Sequence, residues 1–167
     1  MSQSALMVYG ELCQSISWEG NDVKLKPLQQ FICDECGGLI KKVDDGWLEW
    51  IEDSTTPIQG FRIVHVQGTS PRLNQGGNCY YPKSFGASDM HLKYFTGPDG
   101  LSLLLSFLVK ENTADPNELV AIIRRIHLPY YEEARPHLEK ALDAGIISSR
   151  EYIQEELKTV IKEFGRG

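Results

Sequence analysis

The chain has 167 residues, of which 41% are apolar and 24% charged, and a net charge of −6. That length supports one domain with a real core or two small modules sharing one, and the composition excludes a largely disordered chain. Residues 1–95 carry 8 basic and 11 acidic side chains and residues 96–167 carry 9 and 12, so each half is −3. Neither half is a basic arm, which disfavours nucleic-acid binding by bulk electrostatics.

The opening Met1-Ser-Gln-Ser-Ala-Leu-Met7 has no basic segment and no sustained apolar stretch, so no secretory signal is expected. Met7-Val8-Tyr9 reads as a short strand, and Trp18-Glu-Gly-Asn-Asp22 contains a turn signal. Residues 31–67 read as a β-meander. Leu39–Val43 is one strand, and Asp45-Gly46 supplies a hairpin turn because both residues tolerate positive φ. Trp47–Glu52 returns, with Trp47 and Trp50 on opposite faces. Phe61–Gln67 is the third strand, alternating Phe61, Ile63 and His65 on one face with Arg62, Val64 and Val66 on the other. Residues 68–79 form a loop, and a loop of that length is functional, mobile or anchored. Tyr80–Phe85 is expected to return to the sheet, and Asp89–Phe95 to make a helical turn.

From Thr96 onward the pattern is helical. Leu101–Val109 is the longest apolar run, with Ser102 and Ser106 inside it. A membrane span needs roughly 20 residues, so this run predicts a buried helix. Asp115 caps a helix that starts at Pro116, with Leu119, Val120, Ile122, Ile123 and Ile126 as its stripe and Arg124 and Arg125 pointing away. Pro129 starts another segment, Pro136 interrupts it near Arg135, and Gly145 ends it. Ser148 and Glu151 have capping-box spacing, and the last helix buries Ile153, Leu157, Val160, Ile161 and Phe164 before Gly165. The expected fold is therefore α+β. A small antiparallel β-meander (1–95) precedes a helical half of about four helices (96–167), possessed of its own core or sharing one.

The chemistry is concentrated in Cys33-Asp-Glu-Cys36-Gly37-Gly38. Two thiolates separated by two residues can hold one ion without straining the backbone, and the glycines let amide N–H groups point at sulfur. The segment resembles the first half of a zinc-ribbon knuckle, over roughly residues 31–80. Zinc ribbons close the site with a second Cys-x-x-Cys, which is absent here. Two further ligands are expected from His65, at the end of the third strand, and Cys79, after the loop, giving a Cys₃His zinc site. His91 is the reserve ligand, and Cys13 reads as a buried thiol. Inert thiols or a redox pair at Cys33 and Cys36 remain open, although Gly37-Gly38 disfavours the helix start on which redox pairs sit.

Closed Cys/His sites are normally structural, so the leading expectation is a non-catalytic zinc protein with an interaction or regulatory role, in the cytoplasm, with another protein as partner and no membrane. The corner of Arg124, Arg125, Tyr130, Tyr131 and Arg135 is the candidate partner surface, being rich in residue types that anchor interfaces. A nucleic-acid contact through the same corner is one alternative. The other is an HNH-like metal-dependent nuclease or hydrolase built on His65, Asn74 or Asn78, and His91. No phosphate-binding Gly-rich loop, nucleophile elbow or zinc-protease helix motif is present.

Overall fold

The computed structural model describes residues 24–109, 113–149 and 151–165. Cys13, the strand expected at Met7–Tyr9 and the turn at Trp18–Asp22 lie outside the described residues. The architecture is α+β, with antiparallel sheets in the first half and helices in the second.

A two-stranded ribbon joins β1 (Phe31–Ile32) to β2 (Leu39–Ile40) across the cysteine knuckle, Phe31 opposite Ile40. A second sheet has β3 (Gly46–Ile51) at its centre, flanked by β4 (Gln59–His65) and β5 (Ala87–His91). The register places Leu48 against Ile63 and Glu49 against Arg62 on one side, and Trp47 against His91 on the other.

Strand pairing departs from the expected meander at two places. Asp45-Gly46 does not turn a hairpin. Val43–Asp45 forms a 3-10 turn, Gly46 is extended at φ −117°, and Leu39–Ile40 pairs with β1 instead of β3. Glycine is needed at position 46 for close approach, since a Cβ there would sit 2.9 Å from Leu92 Cδ2. The last strand is Ala87–His91 instead of Tyr80–Phe85. Pro82 has no amide proton to give a ladder, and Lys83–Phe85 is a 3-10 turn. Only Leu92–Phe95 of the expected 89–95 helical turn is helical.

The helices are α1 (Gly97–Leu108), α2 (Pro116–His127), α3 (Tyr131–Ala134), α4 (Leu138–Asp143) and α5 (Gln154–Phe164). Asp115 caps α2 by accepting the Asn117 amide at 2.9 Å. Pro136 separates α3 from α4 with one 3-10 turn, and Gly145 ends α4 at φ +68°. The capping box at Ser148 and Glu151 does not form. Tyr152 takes a positive φ of 57°, α5 begins two residues later, and Ser148 bonds to Glu156 instead. Burial of Tyr152 against Tyr131, ring centroids 5.2 Å apart, overrides the local cap. Ile153, expected on the buried stripe, is exposed, whereas Leu157 and Val160 are fully buried.

Apolar side chains collect in two cores. The larger joins the sheets to α1 and α2 through Phe31, Ile40, Leu48, Ile63, Leu104 and Ile126, with Trp50 ringed by Phe61, Phe95 and Phe107. The smaller belongs to residues 128–164 and is built on Tyr131, Ala134, Leu138, Ala141, Leu157 and Val160. Among the described residues, no helix is long and apolar enough to cross a membrane.

Candidate metal centre

Cys33 and Cys36 lie in the turn between β1 and β2. The turn closes with the Gly37 amide on the Cys33 carbonyl at 2.9 Å and the Cys33 amide on the Gly38 carbonyl at 2.9 Å. Gly37 takes φ +69°, a left-handed conformation that costs glycine little. The Gly38 amide then donates to Cys36 Sγ at 3.4 Å. Gly38 has its own reason to lack a side chain, because a Cβ there would lie 3.2 Å from Cys36 Sγ and 3.4 Å from His65 Cε1.

His65 ends β4 and enters from the sheet; Cys79 enters from the end of the 68–79 loop. One donor atom from each of Cys33, Cys36, His65 and Cys79 lies within 4.8 Å of every other. His65 Nδ1 is 3.5 Å from Cys36 Sγ and 3.8 Å from Cys79 Sγ. A tetrahedral zinc with bonds of about 2.3 Å to sulfur and 2.0 Å to nitrogen spaces its donors about 3.5–3.8 Å apart. The two His65 distances match that spacing, and all four donors lie close enough together to meet one ion.

His65 is held in the tautomer such a site needs. Its Nε2 lies 3.2 Å from the Leu39 carbonyl, which can only accept, so Nε2 carries the proton and the Nδ1 lone pair faces the thiols. The Ser70 hydroxyl lies 3.1 Å from Cys79 Sγ and supplies polar contact to that buried sulfur. Cys33, Cys79 and His65 are buried and Cys36 is half-buried. The hydrogen bond from Cys36 pulls the Cys33 thiol far below its ordinary value, to about 3, against the effect of burial. The reciprocal contact with Cys33 pushes Cys36 up, and burial pushes Cys79 up. Burial opposes charge on His65, but the Cys33 thiolate beside it outweighs this and raises the imidazole. A cation entering here replaces protons shared among four donors.

The spacer residues of the knuckle are engaged as well, a role the sequence reading did not assign. Asp34 Oδ2 accepts from Arg125 at 2.6 Å and from the Ile63 amide at 2.7 Å. Glu35 is paired with Arg62 at 2.9 Å and with Arg72, which also reaches the Glu35 carbonyl at 3.2 Å. The 68–79 loop is thus anchored on the knuckle by Arg72 and Cys79. The adjoining Arg62 lies 3.5 Å from the Tyr81 ring centre and pairs with buried Glu49, whose carboxyl burial pushes up.

His91 is not part of the group. It lies on β5, two strands from His65 and therefore about 10 Å away across the sheet. It pairs with Trp47 while His65 pairs with Gly46, so the two imidazoles leave opposite faces. His91 packs edge-on to Trp47 instead, ring centroids 6.0 Å apart. The His65–His91 arrangement of an HNH-like centre is absent from the described residues.

The Arg124–Arg135 corner divides. Arg125, expected to point away from the α2 stripe, is buried at 4% exposure. It stands three residues after Ile122 and therefore on the same helix face, and its charge is tolerated there because Asp34 and Glu132 meet it. Tyr131 is buried in the smaller core. Arg124 lies over the Tyr152 ring at 4.8 Å, Tyr130 takes a positive φ of 70°, and Arg135 approaches Glu132 at 3.5 Å. Arg125 and Tyr131 are thus unavailable as surface contacts in this conformation.

No protein-family model matches the chain, and no curated protein or solved structure is significantly similar to it.

Proposed function

We propose that Cys33, Cys36, His65 and Cys79 hold one zinc ion in a structural role, and that the chain works as a non-catalytic interaction or regulatory protein. The observation that carries this reading is the gathering of three sulfurs and one imidazole nitrogen within 4.8 Å, from a knuckle, a strand end and a loop end. Thiolates with a borderline imidazole select zinc over hard cations such as magnesium or calcium. Four protein donors leave no position for a water nucleophile, which favours structure over catalysis. Thiols kept as ligands suit a reducing compartment, so the cytoplasm is the expected location. Another protein remains the expected partner; the burial of Arg125 and Tyr131 weighs against nucleic-acid contact through that corner.

The test is metal analysis of untagged, freshly purified protein combined with X-ray absorption at the zinc edge. The expected result is about one zinc per chain with a first shell of three sulfurs and one nitrogen. Metal-free protein that is fully folded sinks the reading. A shell containing a water oxygen in place of one protein donor returns the question to catalysis.

A further inference from the structure

Among the described residues, a cluster of charged side chains lies between the two apolar cores, and this charged junction is built on the metal knuckle. Arg125 of α2 is its centre. It donates to Asp34 at 2.6 Å, to the Ile32 carbonyl at 2.8 Å and to both oxygens of Glu132 on α3 at 2.7 and 2.9 Å. Glu132 in turn accepts the Ile32 amide at 2.9 Å, so the backbone of β1 is gripped from both sides by the helical half. Arg135 closes the group at 3.8 Å from Asp34 and 3.5 Å from Glu132. Among the described residues, the hydrogen bonds and ion pairs of Arg125, Glu132 and Arg135 to the sheet side fall on Ile32 and Asp34, the two neighbours of Cys33.

From this arrangement we infer that metal occupancy governs the seating of the α3–α5 unit, making the chain a metal-dependent conformational switch. The inference rests on the Cys₃His reading above and deepens it. Apart from the ion pairs of Asp34 and Glu35 and the backbone bond of Asp34 to Ile63, the knuckle rests on a short ribbon, since β1 and β2 share two residue pairs, and its four donors are mostly buried. Structural zinc supplies folding energy to such segments outright. When the knuckle loosens, Asp34 and the Ile32 backbone no longer stand where Arg125 and Glu132 need them, and buried charges left without partners are strongly unfavourable. Residues 128–165 form a unit below about 40 residues, too small to keep its core ordered without docking. β3 and α1 belong to the larger core, and the contacts of Arg125 and Glu132 given above do not fall on them.

Hydrogen–deuterium exchange read by mass spectrometry on the full chain tests this, comparing zinc-loaded protein with protein treated with a zinc chelator. Chelation is expected to accelerate exchange about tenfold or more in both the knuckle and α3–α5, with β3 and α1 lagging. Two zinc-loaded variants separate transmission from general fragility. Arg125→Met removes the hub while filling its volume, and Asp34→Asn removes one charge and keeps the shape. Each is expected to retain zinc and knuckle protection while α3–α5 exchanges faster. If Arg125→Met does not fold, Asp34→Asn decides. Wild-type protection of α3–α5 in zinc-loaded Asp34→Asn, or in chelated wild-type protein with a deprotected knuckle, overturns the inference while leaving the zinc reading intact. Simultaneous exchange of every element also overturns it, because the metal then holds the whole fold. Metal analysis of the same sample showing no zinc removes both readings.

Discussion

Asp34 and Arg125, 91 residues apart in the chain, form a 2.6 Å ion pair that ties the spacer of the cysteine knuckle to the inner face of α2. Asp34 is one residue from Cys33, so the pair puts a helix and a candidate metal ligand in direct mechanical contact. The neighbouring spacer, Glu35, reaches the other way, to Arg62 of β4 and Arg72 of the loop. The Cys-x-x-Cys spacing thus allows both chelation and two acidic anchors that leave the knuckle in different directions.

Metal ligation is expected to be worth most at the knuckle. Cys33→Ser and Cys36→Ser should each abolish zinc binding and lower the melting temperature, because the energy of structural zinc is also folding energy. Cys79→Ser should weaken zinc and release the 68–79 loop, which Cys79 and Arg72 hold. Differential scanning calorimetry with zinc quantified in the same samples checks this. Wild-type melting in both knuckle variants would show that the site is not structural.

Gly38→Ala isolates the packing of the site from its ligand chemistry. The backbone there is not left-handed, but the new methyl would press on Cys36 Sγ at 3.2 Å and His65 Cε1 at 3.4 Å. Displacing an oriented ligand typically costs about 10–100-fold in metal affinity, and that is the expected loss. Gly68→Ala is the control, since no atom lies within 4 Å of its Cβ. Competition titration with a chromogenic chelator measures both, and equal affinities would refute the contact.

Glu132 gives the junction a pH signature. Burial opposes its ionisation, yet Arg125 and Arg135 prevail and hold the carboxyl below its ordinary value of 4.5. A carboxyl whose folded pKa is depressed stabilises the fold above its unfolded pKa and loses that contribution as pH falls through the folded one. The stability advantage of wild type over Glu132→Gln should be constant above about pH 5 and shrink below 4.5. Denaturant titrations of both proteins across that window check the sign. Loss of metal in acid affects both curves, so the difference reports the carboxylate. A pH-independent difference would mean that Glu132 acts through shape alone.

The final helix offers a packing test. Leu157 is fully buried in the smaller core, whereas Ile161 is only partly buried beside it. Leu157→Ala is expected to cost about 2–5 kcal/mol, and Ile161→Ala clearly less. Urea unfolding followed by circular dichroism measures both. Equal costs would show that α5 is rotated from the orientation described.

Reversal of Arg124 and Arg125 together should unfold the protein or cost several kcal/mol, and the single changes should locate that cost at Arg125. Arg125 is buried among two carboxylates and a backbone carbonyl, while Arg124 stacks over Tyr152 nearer the surface. Thermal melts of the two single variants check the difference. A severe effect from Arg124 alone would move the weight of the junction to the tyrosine pair.

What the sequence determined by itself was local. Cys33-x-x-Cys36 followed by two glycines specified the knuckle because chelation and left-handed turning are settled within a few residues. Asp115-Pro116, Pro136 and Gly145 placed helix limits for the same reason, since each acts on its own backbone. His65 and Cys79 were legible as candidates from residue type and position. The tertiary structure decided what depends on distant partners. It brought His65 into the group and left His91 on the far face, because strand pairing around β3 sets which side chains share a side. It paired Leu39–Ile40 with β1 and passed over the Asp45-Gly46 signal, because closing the knuckle and seating Gly46 against Leu92 outweighed a local turn preference. It buried Arg125, which lies within the α2 stripe but reads as solvated by charge. A charge is stable in an interior only where opposite charges meet it, and Asp34 and Glu132 arrive there from segments that no local pattern connects.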